Sequence, residues 1–102
     1  MKTINLKEFD VFTDITKKQR VRCDVRKSVA NMLYSQMHGI EALNLALMIY
    51  KSEGAMAVSD DDLRTLQRAF EQFGTPALIE ALAAQIKELN TPTEKLNNYG
   101  ND

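Results

Sequence analysis

Residues 55–76 read AMAVSDDDLRTLQRAFEQFGTP, and this stretch indicates local structure more clearly than any other part of the chain. Its first four residues are small or apolar and predict a short strand. Ser59 then precedes three aspartates, which is typical of a helix start because the hydroxyl caps backbone N–H groups and the helix dipole favours negative charge there. A helix is expected over about 60–73. Its apolar stripe consists of Leu63, Leu66, Phe70 and Phe73.

The residues that follow predict a second helix boundary. Gly74 can end one helix, Thr75 can cap the next, and Pro76 suits the first position of a helix. A fourth helix is therefore expected over about 76–89. Its expected buried side consists of Ile79, Leu82, Ile86 and Leu89. Residues 90–102 are polar and lack periodicity, which predicts a disordered tail.

Two further helices are expected on the N-terminal side of this stretch. Asp24 is a candidate cap for a helix at about 25–38, which Gly39 would end. The next helix, at about 40–52, is apolar on nearly every side. Such a helix is either buried on most sides or part of an oligomer interface.

The first 23 residues predict extended structure. Ile4 and Leu6 alternate with polar residues. Val21 and Cys23 alternate with arginines, which places the two apolar side chains on one face of a strand. The predicted fold class is α+β, with an N-terminal antiparallel β-ribbon packed on about four helices. Residues 56–58 are candidates for a third strand of that ribbon.

Length and composition bound the function. The 102 residues carry a net charge of −1 and fit one globular domain, which we place at residues 1–89. This composition excludes a disulfide scaffold and a strongly basic nucleic-acid protein. A single cysteine and an N-terminus without an apolar leader predict a cytoplasmic protein. The longest apolar stretch, residues 42–50, is too short to cross a bilayer.

Candidate chemical groups are few, and each has a structural explanation. We interpret Cys23 as a core thiol and His38 as a cation at a helix C-terminus, rather than as a nucleophile and its base. The three aspartates at residues 60–62 suit a helix start better than a metal site, because successive helical residues point in different directions. The sequence therefore predicts no cofactor, no metal site and no enzyme activity.

Two surfaces are candidates for partner binding. The first combines apolar residues of the second and fourth predicted helices, and it predicts a protein partner or a homo-oligomer. Its residues are Leu43, Leu47, Met48, Tyr50, Ile79, Leu82 and Ile86. The second is the basic segment 17–27, which predicts contact with nucleic-acid phosphates as the alternative function. Its cations are Lys17, Lys18, Arg20, Arg22, Arg26 and Lys27.

The layout resembles short proteins encoded in phage and prophage gene clusters. The resemblance covers about residues 2–89 and rests on spacing and residue type. It is carried by Ile4-Asn5-Leu6-Lys7, Phe12-Thr13-Asp14, Val29-Ala30-Asn31-Met32-Leu33-Tyr34 and Val58-Ser59-Asp60-Asp61-Asp62-Leu63. It implies a small non-enzymatic accessory protein, such as one from a virion-assembly module, and it supplies no catalytic residues. The basic segment and the polar tail fall outside that pattern.

Overall fold

The computed structural model describes residues 1–90, which form four strands and four helices. In chain order the elements are β1 (Lys2–Asn5), β2 (Phe9–Phe12), β3 (Arg20–Cys23), α1 (Arg26–Gln36), α2 (Ile40–Lys51), β4 (Ala55–Val58), α3 (Asp60–Phe73) and α4 (Pro76–Asn90). The α+β class with four helices and an N-terminal antiparallel ribbon is confirmed.

The strands form two separate antiparallel pairs. In one pair β1 lies beside β4, with Ile4 opposite Met56. In the other β2 lies beside β3, with Val11 opposite Val21. The strand predicted near residues 56–58 therefore does pair with the N-terminal segment, but it pairs with β1 and leaves β2–β3 as an independent hairpin.

β3 lies at the edge of the core. Cys23 is opposite the buried Phe9, and Val21 is opposite Val11. The apolar face predicted for β3 is therefore on the core side of the hairpin but is little buried. Val21 is more than half exposed, and Cys23 is only half-buried, so the interpretation of Cys23 as a core thiol is wrong. Arg20, on the opposite face of the strand, makes an ion pair with Glu88 of α4. Val21 is exposed because β3 is the outer strand of the hairpin, while the facing strand β2 contributes Phe9 and Val11 to the core.

The core lies where the helices meet β1 and the start of β2. Its two largest side chains, Phe9 and Phe70, meet edge to face with ring centroids 6.2 Å apart and an interplanar angle of 72°. Burying an aromatic or branched aliphatic side chain contributes about 1.5–3 kcal/mol. The other fully buried large residues are Ile4, Leu6, Leu33, Leu45, Ile49, Val58 and Leu66. The core thus draws on both ends of the described chain and on its middle.

The helix boundaries around α3 are those that the sequence predicts. The Ser59 hydroxyl accepts a hydrogen bond from the N–H of Asp62 at 3.1 Å. At the other end the N–H of Gly74 donates to the carbonyl of Phe70 at 2.8 Å. The Thr75 hydroxyl then accepts from the first turn of α4 at 3.3 Å. The apolar stripe is shorter than expected, because Phe73 is exposed.

The predicted boundaries of the first helix need correction. α1 starts at Arg26 after Val25, and Asp24 lies one residue too early to be the cap. Its carboxylate nonetheless accepts from the N–H of Arg26 at 3.1 Å. The helix ends at Gln36, so His38 lies beyond it and does not cap it.

The turn between α1 and α2 depends on Gly39. This residue has a φ of 97° and lies directly before α2, so it starts the second helix and does not end the first. Such a φ is strained for any residue with a Cβ. The glycine thus lets the chain reverse between two helices that pack side by side.

α4 continues to Asn90, which the sequence predicts as the first residue of the tail. The side chain of Asn90 bonds to the backbone of Thr3. The rest of the predicted tail, residues 91–102, lies outside the described residues. Within residues 1–90, no helix combines the length and the apolar character that a membrane span requires.

Candidate interaction surface

The second helix is not buried on most sides, contrary to one interpretation of its apolar sequence. It buries one side, which consists of Ala42, Leu45, Ala46 and Ile49. The opposite side is in solvent and still carries large apolar residues. Ile40 and Leu47 lie about 20° apart around the helix axis, at 100° per residue. Leu47 is 46% exposed and Tyr50 is 58% exposed.

α1 extends this apolar surface. Tyr34 is 71% exposed and lines a shallow groove between α1 and α2 together with Leu47 and Tyr50. Lys27 and Asn31 contribute polar groups to the same groove. We use the name outer face for the exposed apolar residues Tyr34, Ile40, Leu47 and Tyr50. A cluster of exposed apolar side chains with polar neighbours is typical of a protein-binding site.

The sequence-predicted interface divides in two. Exposed positions on α2 include Leu47, Met48 and Tyr50, whereas Leu43 is partly buried. The three residues of α4 are differently placed. Leu82 is only 2% exposed and belongs to the core, so it is not available to a partner, while Ile79 and Ile86 are half-buried and pack against that core.

Sequence reasoning missed Tyr34. Its position in the predicted first helix lies off the buried stripe, and a large aromatic residue off that stripe was the available signal. A single exposed tyrosine needs no explanation. Its placement beside Leu47 and Tyr50 becomes visible only when the two helices are packed.

The cations of the basic segment are largely paired within the fold. Arg20 donates to both carboxylate oxygens of Glu88, at 2.9 and 3.3 Å. Arg22 donates to both oxygens of Asp10, at 2.9 and 3.2 Å, and Lys17 lies 3.0 Å from Glu80. The contacts of Arg20 and Lys17 reach α4, whereas the contact between Arg22 and Asp10 lies within the β2–β3 hairpin.

The ion pairs of Arg20 and Arg22 are both bidentate: Arg20 pairs with Glu88 of α4, and Arg22 pairs with Asp10 of the neighbouring strand β2. The guanidinium of Arg20 also lies 5.1 Å from the ring centroid of Phe12, a cation–π contact. The hydrogen bonds from Arg22 hold the pKa of Asp10 below its usual range. Such pairs contribute little individually at an exposed site, but the bidentate geometry of Arg20 and Glu88 connects the hairpin to α4.

Arg26, at the start of α1, is engaged by hydrogen bonds within the fold. Its guanidinium donates to both oxygens of Asp24, at 2.9 and 2.7 Å, and to the carbonyl of Ser52. The hydrogen bonds from Arg26 lower the pKa of Asp24 to about 2. Of the six predicted nucleic-acid contacts, only Lys18 and Lys27 make no ion pair within residues 1–90.

The remaining candidate groups do not form a site. Cys23 lies on β3, whereas His38 is exposed in the turn between α1 and α2. The aspartates at residues 60–62 form the first turn of α3, and Asp61 pairs with Arg64 at 3.1 Å. Within the described part of the chain, no three potential metal ligands lie close together.

Comparisons with known proteins add no assignment. No protein-family model, no curated protein and no solved structure matches this chain.

Proposed function

We propose that this protein works through protein–protein contacts, without a catalytic role, by pairing with a second copy of itself through the outer face. In biological terms we propose a small accessory protein of phage or mobile-element type, as the sequence resemblance implies, that acts in the cytoplasm and takes part in assembly. The support is physical: the described chain offers an apolar surface and no assembled set of reactive groups.

The observation that carries the proposal is the exposure of Leu47 and Tyr50 next to Tyr34. Aromatic residues are enriched at the centres of protein interfaces because they bury a large area with little loss of conformational freedom. Moving apolar surface from water into a contact yields roughly 25 cal/mol per Å². The outer face would form the centre of an interface, with polar residues such as Asn31 and Lys27 around it.

A second copy is the favoured partner because two copies of α2 can pack antiparallel about a two-fold axis through the outer face, which opposes their helix dipoles. Lys51 lies within about 40° of Ile40 and Leu47 around the helix axis and borders this contact. The same surface patch then serves on both subunits, as in most homodimers.

The ion pairs make nucleic-acid binding the weaker of the two candidate functions. An ion pair with a carboxylate already engages each of Arg20, Arg22 and Arg26. Each arginine would have to give up that ion pair to bind a phosphate. Lys18 and Lys27 remain as candidate phosphate contacts. If they bind nucleic acid, retention on DNA or RNA will fall with salt, and changing both to Glu will abolish it.

Sedimentation equilibrium on two matched variants tests the proposal. Leu47→Asp places a charge on the outer face. Leu89→Asp places the same charge on α4 at a residue that is also 46% exposed, so the prediction that Leu89 is buried is wrong. We expect Leu47→Asp to weaken self-association at least about tenfold, or about 1.4 kcal/mol, and Leu89→Asp to leave it unchanged. Circular dichroism of both variants establishes that the fold is kept. Equal association of the two variants would refute the outer face as the interface.

A further inference from the structure

The two outer edges of the β1–β4 pair differ in whether their backbone groups are hydrogen-bonded. The edge of β1 is occupied by side-chain amides of α4. Asn90 accepts from the N–H of Thr3 at 2.8 Å and donates to its carbonyl at 3.0 Å. Gln85 accepts from the N–H of Asn5 at 2.9 Å and donates to its carbonyl at 2.7 Å. These four bonds take the place of a further strand, so β1 cannot pair on that side.

The same bonds fix the direction of the backbone groups in β4. The backbone N–H and C=O groups of Thr3 and Asn5 point away from β4. The residues of β1 whose backbone groups bond to β4 are therefore Lys2 and Ile4. Their partners across the pair are Val58 and Met56. The N–H and C=O groups of Ala55 and Ala57 therefore point outward from the opposite edge.

Nothing in the described chain occupies that second edge. Within residues 1–90 no hydrogen bond engages the outward N–H or C=O of Ala55 or Ala57, and both side chains are exposed. β3 also has an outer edge, but it carries Arg20 and Arg22, and charged side chains oppose edge-to-edge pairing. β4 carries no charge. It is thus the less protected edge in the described fold.

We propose that the β4 edge pairs with β4 of a second copy of this chain, antiparallel about a two-fold axis at Met56. The sequence Ala55-Met56-Ala57 is the same in both directions, so the pairing is self-complementary. Ala55 of each chain lies opposite Ala57 of the other, and each such pair exchanges two hydrogen bonds. The methyl side chains let the two backbones approach closely.

This pairing also covers side-chain surface. The two copies of Met56 face each other at the non-hydrogen-bonded position, where opposed side chains are closest. Met56 is half-buried against the core in one chain, so a second copy would complete its burial. The result is a four-stranded sheet in the order β1, β4, β4 and β1. The contact is distinct from the outer face and does not depend on it.

Disulfide trapping tests the register. In a Cys23→Ser background, Met56→Cys places two cysteines opposite each other with Cα atoms about 4.5 Å apart, which lies within the range that a disulfide spans. Ala55→Cys is the matched control, because its two copies are offset by two residues and lie beyond about 7 Å. We expect Met56→Cys to form a covalent dimer under mild oxidation at least tenfold faster than Ala55→Cys. Equal rates would indicate random collision and overturn the proposal.

A second version uses exposed positions only, in case Met56→Cys disturbs the core. The variants Ala55→Cys and Ala57→Cys are oxidised separately and as a mixture. The proposed register predicts cross-linking in the mixture and little in either variant alone. Absence of the mixed dimer would overturn the proposal.

Ala57→Pro separates this proposal from the outer-face proposal. Proline removes the outward N–H of residue 57 and leaves the bonds between β1 and β4 unaffected. We expect it to abolish trapping at residue 56 while the variant sediments as the dimer formed by the outer face. Conversely, Leu47→Asp removes the outer-face contact and should leave trapping at residue 56 unchanged. Trapping that persists with Ala57→Pro would contradict strand pairing, whatever the outer face does.

Discussion

Gln85 is the clearest example of a side chain whose contribution to stability can be worked out from its contacts. It accepts from the N–H of Asn5 at 2.9 Å, donates to the Asn5 carbonyl at 2.7 Å, and has a longer contact of 3.4 Å to the carbonyl of Glu8. The change Gln85→Met keeps the length of the side chain and removes all three bonds. It also leaves both backbone groups of Asn5 without a protein partner.

The two short hydrogen bonds determine the expected loss in the free energy of unfolding. Each hydrogen bond contributes about 0.5–1.5 kcal/mol net, so Gln85→Met should lower the free energy of unfolding by about 1–3 kcal/mol. The site is only partly buried, and water that replaces the amide will place the value in the lower half of that range. The melting temperature should fall by about 4–8 °C for each kcal/mol.

Urea unfolding followed by circular dichroism measures this loss. The matched control is Gln72→Met, because Gln72 is an exposed residue of α3 whose side chain makes no hydrogen bond within residues 1–90. We expect the control to stay within about 0.5 kcal/mol of the wild type. Equal effects of the two changes would refute the idea that α4 amides hold the edge of β1.

Two other properties follow from the same structure. A Cβ at Gly74 would lie 2.7 Å from the carbonyl oxygen of Phe70, whereas a Cβ at Gly54 meets nothing within 4 Å. Thermal unfolding should therefore show Gly74→Ala destabilised by about 1–3 kcal/mol and Gly54→Ala close to neutral. The pKa of Asp24 is lowered in the fold to about 2, so the stability it confers is present above pH 4 and is lost as the pH falls from about 4 to 2. NMR titration of the carboxyl carbon should give that pKa, and Arg26→Ala should raise it toward the ordinary aspartate value, because the guanidinium bonds are lost while the backbone N–H of residue 26 still donates to Asp24. An unchanged pKa in the variant would exclude the Arg26 side chain as the cause.

Local signals predicted the helical part of the fold well. Ser59 before the aspartates and Gly74 before Pro76 determine backbone geometry over a few residues, and both act in the structure as the sequence indicates. The weaker predictions concern elements that depend on distant partners. Arg20 and Glu88 are 68 positions apart, and Asn5 and Gln85 are 80 apart. No periodicity within a segment reports such contacts.

The candidate interface shows the same division. Apolar content alone could not distinguish the buried side of α2 from its exposed side, because both carry leucine. Leu82 follows the regular apolar spacing of α4. That spacing is typical of core positions, but it is also compatible with an interface. The exposure of Leu47 and Tyr50 depends on how α1 and α3 pack around α2. The sequence of no single helix determines that packing.

The solution mass of the wild-type protein tests the central proposal of self-association most directly. Light scattering after size exclusion, across a wide range of protein concentration, should give at least twice the 11.6 kDa of one chain at the upper end. The mass should decline toward one chain on dilution, and Leu47→Asp should move that decline to higher concentration. A wild-type mass of 11.6 kDa at every concentration would contradict self-association and would leave the outer face to a different partner protein.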